Sequence, residues 1–111
     1  MEHWTNVCSA SELLPGGVKV AELGDGRPVA VFRVGNDYYA IEDRCSHEDE
    51  NLSWGTVQGC EVTCPRHGAR FSLRTGEALS LPAYEPVAVF SVRVREGMVQ
   101  IAAAPAGPGA R

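Results

Sequence analysis

Short β-branched and aromatic runs recur along the chain at 18–23, 28–34, 38–41, 87–95 and 98–102, each bounded by glycine or polar turn residues. Gly16-Gly17, Gly24-Asp25-Gly26, Gly35-Asn36-Asp37, Gly55, Gly59, Gly68, Gly76 and Gly97 supply the breaks. Strands this short, separated by turn chemistry at this spacing, predict an all-β fold: an antiparallel sandwich or small barrel. Alternation with period two is clearest over 91–95, which predicts Val92 and Val94 facing the core and Ser91, Arg93 and Arg95 facing water. Gly97 then turns the chain into a final hairpin strand, 98–102. A single helical signal stands out. Ser9-Ala10-Ser11-Glu12 has the spacing of a capping box, and Pro15-Gly16-Gly17 stops it after one short turn. The Ala-, Pro- and Gly-rich segment 103–111 predicts a disordered tail, which leaves 1–102 as one domain without internal repeats.

Composition narrows the function class. At 111 residues, 44% hydrophobic and 22% charged, the chain fits one globular domain with an ordinary core. No apolar run approaches the roughly 18–20 residues of a membrane span. Met1-Glu2-His3-Trp4 has neither a basic nor an apolar leader region, so no secretory signal is expected and a cytoplasmic location is. A net charge of −4 argues against nucleic acid, which needs a basic surplus. It suits a basic protein partner.

The segment 42–54 breaks the β pattern. It is rich in charge, shows no alternation, and holds Cys45 and His47 two positions apart. Long loops in small domains are usually functional. After sixteen intervening residues comes a second pair, Cys64-Pro65-Arg66-His67. Between the pairs, 55–60 and 61–63 read as strand, turn and strand, which brings the second loop back beside the first. Two thiolates and two imidazoles suit either a zinc ion or one iron–sulfur cluster. Gly55, Pro65 and Gly68 are expected to supply the special backbone angles that such loops need.

The pattern Cys-x-His-x16-Cys-x2-His, with Cys64-Pro65-Arg66-His67-Gly68, Phe71 and Thr75-Gly76, resembles the Rieske 2Fe–2S motif. The likeness extends through Leu52–Gly55 and Leu81-Pro82-Ala83 and spans roughly residues 18–101. In particular the chain resembles the ferredoxin component of bacterial ring-hydroxylating dioxygenase systems. The resemblance implies a Rieske-like fold with a cluster-binding subdomain at about 43–82, carrying two ligand loops and one 2Fe–2S cluster. Cys45 and Cys64 would then bind the inner iron, and His47 and His67 the outer one, with Leu81-Pro82-Ala83 as a third loop that shields the cluster. Replacing two thiolates by neutral imidazoles removes about two negative charges, which is why Rieske centres lie at about −150 to +300 mV against roughly −400 mV for plant-type ferredoxins. High-potential members carry a disulfide between the loops. Here those positions are Glu50 and Arg66, which implies a low-potential centre and invites an ion pair in its place. Two imidazole ligands also imply a potential that falls as pH rises through their oxidised-state pKa values.

By the same resemblance the chain is an electron carrier, not itself an enzyme. It would take electrons from an NAD(P)H-dependent flavin reductase and pass them to a terminal Rieske non-haem iron oxygenase, as a monomer. Two other readings remain: a Rieske-like small subunit of nitrite reductase or another redox enzyme, and a binding module stabilised by zinc. Glu48, Asp49 and Glu50, next to His47, are expected to rim the cluster as a docking patch. Trp54 is expected to pack beneath the first loop, Cys8 to be a small buried hydrophobe of the first strand, and Cys60 a thiol without a role near a hairpin tip. No disulfide is expected, and His3 is read as inert.

Overall fold

The computed structural model describes residues 3–24, 26–44, 51–65, 68–81 and 85–105. The strands are β1 (Trp4–Ser9), β2 (Val18–Glu22), β3 (Pro28–Val34), β4 (Asp37–Glu42), β5 (Thr56–Gln58), β6 (Glu61–Thr63), β7 (Arg70–Ser72), β8 (Val89–Arg95) and β9 (Met98–Pro105). They form an antiparallel six-stranded sheet in the order β1-β9-β8-β4-β3-β2, which curls into a nearly closed barrel, and a three-stranded sheet, β5-β6-β7. The all-β expectation holds, with the small sheet inserted between β4 and β8.

β3 explains how the two sheets join. Its run Val29–Phe32 is buried on both faces. Val29 and Val31 point into the barrel, where they share a core with Leu13, Phe90, Val99 and Ile101. Ala30 and Phe32 point the other way and share a second core with Ile41, Leu52, Val62, Phe71 and Leu73. The near-continuous apolar run of β3 is what burial on two faces requires. Burying each large side chain contributes about 1.5–3 kcal/mol, so this second core is the main bond between barrel and small sheet.

Glu96 and Gly97, both at positive φ (53° and 76°), form the two-residue turn of the β8–β9 hairpin that Gly97 predicted. At the N-terminus, the Ser9 backbone N–H and hydroxyl both donate to Glu12 Oε1 at 2.9 Å, capping the short 3-10 turn Ala10–Glu12. The backbone bond from Ser9, first, then its hydroxyl, holds the Glu12 carboxyl below its ordinary pKa.

Two expectations need correction. Val92 is half-buried, but Val94 is 44% exposed. Val94 shares the inward face of Val92, yet it lies beyond Ala40↔Phe90, the end of β8's pairing with β4, and past an irregularity at Ser91. Among the described residues only strand β9 pairs with it there, which leaves Val94 partly open to solvent. Second, β9 continues through Ala103 and Ala104 to Pro105, where the sequence suggested a tail. On the outer face, Arg93 lies over the Trp4 ring at 4.0 Å and donates to Gln100, which donates to Asn6, a polar ladder across β8, β9 and β1.

Gly76 shows where the small sheet is tied down. Its φ is +78°, its N–H donates to the Ser72 carbonyl, its carbonyl accepts from Val87 N–H, and a Cβ there would fall on the Val87 carbonyl oxygen. Gly59 also has positive φ (59°) but faces open space. Gly59→Ala should cost about 1–2 kcal/mol for its left-handed backbone, whereas Gly76→Ala adds a steric term of about 1–3 kcal/mol. Urea denaturation of the two variants should show that order.

Candidate metal centre

The segments that carry the two Cys/His pairs adjoin the same end of the small sheet. Thr56, Thr63 and Arg70 stand in one row across β5, β6 and β7, and the Leu79 N–H donates to the Arg70 carbonyl at 2.7 Å. Trp54-Gly55, Cys64, Ala69 and Leu81 therefore gather at one edge. The chain segment after β7 is stitched along that strand by Ser72 N–H to Glu77 O (3.0 Å) and Arg70 N–H to Ser80 Oγ (3.0 Å).

Of the four expected ligands, Cys64 is described; Cys45, His47 and His67 lie outside the described residues, as do Glu48, Asp49, Glu50, Arg66, Pro82 and Ala83. The acidic rim, the Glu50–Arg66 pair and most of the shielding loop fall there too. Cys64 is 1% exposed. Its N–H donates to the Ala69 carbonyl at 2.7 Å, and Gly68 N–H donates back to the Cys64 carbonyl at 3.2 Å, closing a tight loop around Pro65 to Gly68. Gly68, at φ +75°, makes the left-handed turn that was expected of it. Gly55 serves differently: its φ is an ordinary −80°, but a Cβ would strike the Thr63 carbonyl. It is required for close approach, not for its angle.

The first loop's shoulders are equally defined. Leu52–Trp54 forms a 3-10 turn in which Leu52 is fully buried in the second core. Trp54, expected beneath the loop, is 74% exposed. In a single tight turn one of the two apolar residues can point inward, and Leu52 takes that place. Leu81 is likewise exposed, at 78%.

Asp43 is the residue that sequence reasoning passed over. It is the sole buried charged side chain among the described residues, 2% exposed. Its Oδ1 accepts from Ser53 N–H (2.7 Å), and its Oδ2 from Ser53 Oγ (2.8 Å) and Asn51 Nδ2 (3.1 Å). Its partners lie eight and ten positions away, across the loop, and no local motif marks them.

At the opposite end of the small sheet, the half-buried Cys60 thiol donates to Tyr39 Oη at 3.7 Å. That bond, first, and then burial raise the Tyr39 pKa. Cys8, on β1, is half-buried against the barrel core, and burial pushes its thiol pKa up. Cys8, Cys60 and Cys64 form no disulfide.

Cys64 has the chemistry that an iron–sulfur centre uses: a soft sulfur withheld from water on a glycine-turned loop. Comparison with known proteins agrees. The Rieske 2Fe-2S domain family matches residues 3–91. The ferredoxin CarAc of Metapseudomonas resinovorans is 42% identical over 99 residues, covering 89% of this chain and 92% of that protein. A chain in the solved complex of reduced oxygenase and oxidised ferredoxin in carbazole 1,9a-dioxygenase superposes with a TM-score of 0.88, at 41% identity over 93% of this chain and 95% of its own. Another, described as the small subunit of an NADH-dependent nitrite reductase from Mycobacterium tuberculosis, gives 0.83 at 29% identity, covering 92% and 96%.

The chain belongs to the Rieske 2Fe–2S family. Within it, it is a ferredoxin: an electron-transfer protein with one Rieske cluster, not a catalyst in its own right.

The exposures of neighbours in the 3-10 turn predict a sharp contrast. Leu52→Ala should cost about 2–5 kcal/mol, while Trp54→Ala should change stability by no more than about 0.5 kcal/mol. Thermal or urea unfolding of the two variants checks this.

Proposed function

We propose that Cys45 and Cys64 ligate the inner iron and His47 and His67 the outer iron, and that the chain carries single electrons from an NAD(P)H-dependent flavin reductase to a terminal ring-hydroxylating oxygenase. The observation that carries this reading is the placement of a buried Cys64 beside the exposed Trp54 and Leu81 at one edge. When bound, the cluster supplies a one-electron couple. The chain's own residues do the rest. Cys64 is kept from water, and the next residue toward His67, Pro65, is exposed. Trp54 and Leu81 offer apolar area for a brief docking contact, and the acidic run Glu48–Glu50 beside His47 steers a basic partner toward it. The relatives' names support the oxygenase as acceptor, since the carbazole structure holds ferredoxin and oxygenase together. A monomeric shuttle in the cytoplasm fits these features, and among the described residues no helix is long and apolar enough to cross a membrane.

The likeness to a nitrite reductase small subunit favours a second reading, a permanently bound redox subunit. Size-exclusion chromatography of the tagged chain from its native host separates the two. A shuttle elutes alone, and a fixed subunit elutes with its enzyme.

Cys64→Ser and His67→Ala should each abolish the reduced-state EPR signal of the unmodified chain, whereas Cys60→Ser should leave it intact. Reduction by the partner flavoprotein should slow at least about tenfold between low and high salt. A flat salt profile contradicts charge steering. Trp54→Ala should weaken partner binding about tenfold, the effect of losing one aromatic anchor at an interface, without changing the potential.

A further inference from the structure

We infer that Asp43 is the positioning residue that holds the first ligand loop closed, so that release of the cluster runs through breaking its hydrogen bonds. The inference rests on the reading of Cys45 and His47 as ligands, and it assigns the loop's geometry to one side chain outside the ligand set.

Each shoulder of the loop is anchored separately. On the near side, Glu42 N–H donates to the Ala88 carbonyl (2.8 Å) and Asp43 N–H to the Pro28 carbonyl (3.0 Å), which fixes this shoulder to the barrel. On the far side, Leu52 is fully buried, and Trp54 N–H donates to the Asn51 carbonyl (3.2 Å) and Gly55 N–H to the Leu52 carbonyl (2.9 Å). No backbone hydrogen bond between described residues joins the two shoulders; Asp43 does so, with three hydrogen bonds from Asn51 and Ser53.

A carboxylate buried to this degree is costly unless its oxygens are satisfied, and both of these are. All three donors found among the described residues lie across the loop, so each of these bonds, which compensate Asp43's burial, also joins the two shoulders. The second loop is closed by the backbone itself, through Cys64 N–H to the Ala69 carbonyl. The two loops are thus joined by different means: backbone in the second and, among the described residues, the Asp43 side chain in the first.

The test is the rate at which excess EDTA bleaches the visible absorption of the loaded, full-length protein, at a temperature where far-UV circular dichroism shows every variant folded. Asp43→Ala should bleach about tenfold faster or more, as expected for losing hydrogen bonds to a charged group. Ser53→Ala and Asn51→Ala, which each remove one bond, should bleach a few-fold faster. Asp43→Asn should stay close to the unmodified rate. Its carbonyl can keep the Ser53 N–H, and its amide can donate to the Ser53 hydroxyl and to a turned Asn51 side chain.

Bleaching of Asp43→Ala at the unmodified rate overturns the inference, as does an Asp43→Asn rate equal to that of Asp43→Ala, which would make charge and not closure the cause. If Asp43→Ala cannot be loaded, unmodified rates for both Ser53→Ala and Asn51→Ala overturn it equally. A carboxylate that only stabilised the fold would lower the melting temperature and leave bleaching of the folded protein alone. The iron count and EPR spectrum of the Cys45→Ser and His47→Ala variants test the ligand reading separately, since those values do not depend on the ratio of bleaching rates.

Discussion

Burial of Phe71, Val62 and Leu52 in one core with Phe32 and Ile41 is the interaction on which the rest of the molecule depends. The strands of the small sheet are three residues each, too short to stand without a hydrophobic face to pack on. The barrel lends them one because β3 and the start of β8 are buried on both sides: Phe90 lies in the barrel core, and its neighbour Val89 in the shared one. Position and rigidity at the ligand edge are therefore inherited from the barrel. Gly55 and Gly76 mark where backbone meets backbone too closely for any side chain, at the two places where the small sheet is drawn in.

From that frame the site follows in a definite order. The small sheet sets Cys64 at its edge and closes the loop beyond it with a backbone hydrogen bond and a left-handed Gly68. The first loop has no such bond among the described residues and is closed instead by the Asp43 carboxylate. Around them the surface is not uniformly polar, as Trp54 and Leu81 remain largely exposed. A cysteine inside and apolar area outside is the division that a carrier needs, since the sulfur is protected while the contact with a partner stays small and reversible. The exposed Arg70–Glu61 pair nearby, at 2.9 Å, adds little to stability.

Much of this was legible in the residues. The run 28–34 coincides with β3, the capping box at Ser9 closes a single turn, and Gly97 forms a hairpin turn, because each of these is decided by local chemistry. The Cys/His spacing pointed to the family for a different reason: ligand geometry constrains residue type and separation together. What could not be read depended on distant partners. Leu52 and Trp54 are equally apolar, and only the core beneath decides which one is buried. Val94 keeps the period of its strand but loses its cover where β4 stops pairing. Gly55 looks like any turn glycine until Thr63 is seen beside it. Asp43 is one carboxylate in an acidic stretch, distinguished by donors on the far side of a loop.

A Rieske cluster at this edge is tested by low-temperature EPR of the purified protein before and after dithionite, with iron and zinc counted on the same sample. With the cluster bound, the protein should be red-brown with about two irons per chain, the count of one 2Fe–2S centre, silent when oxidised and giving a rhombic signal when reduced. A colourless protein with one zinc would contradict it, leaving the same fold as a metal-stapled binding module.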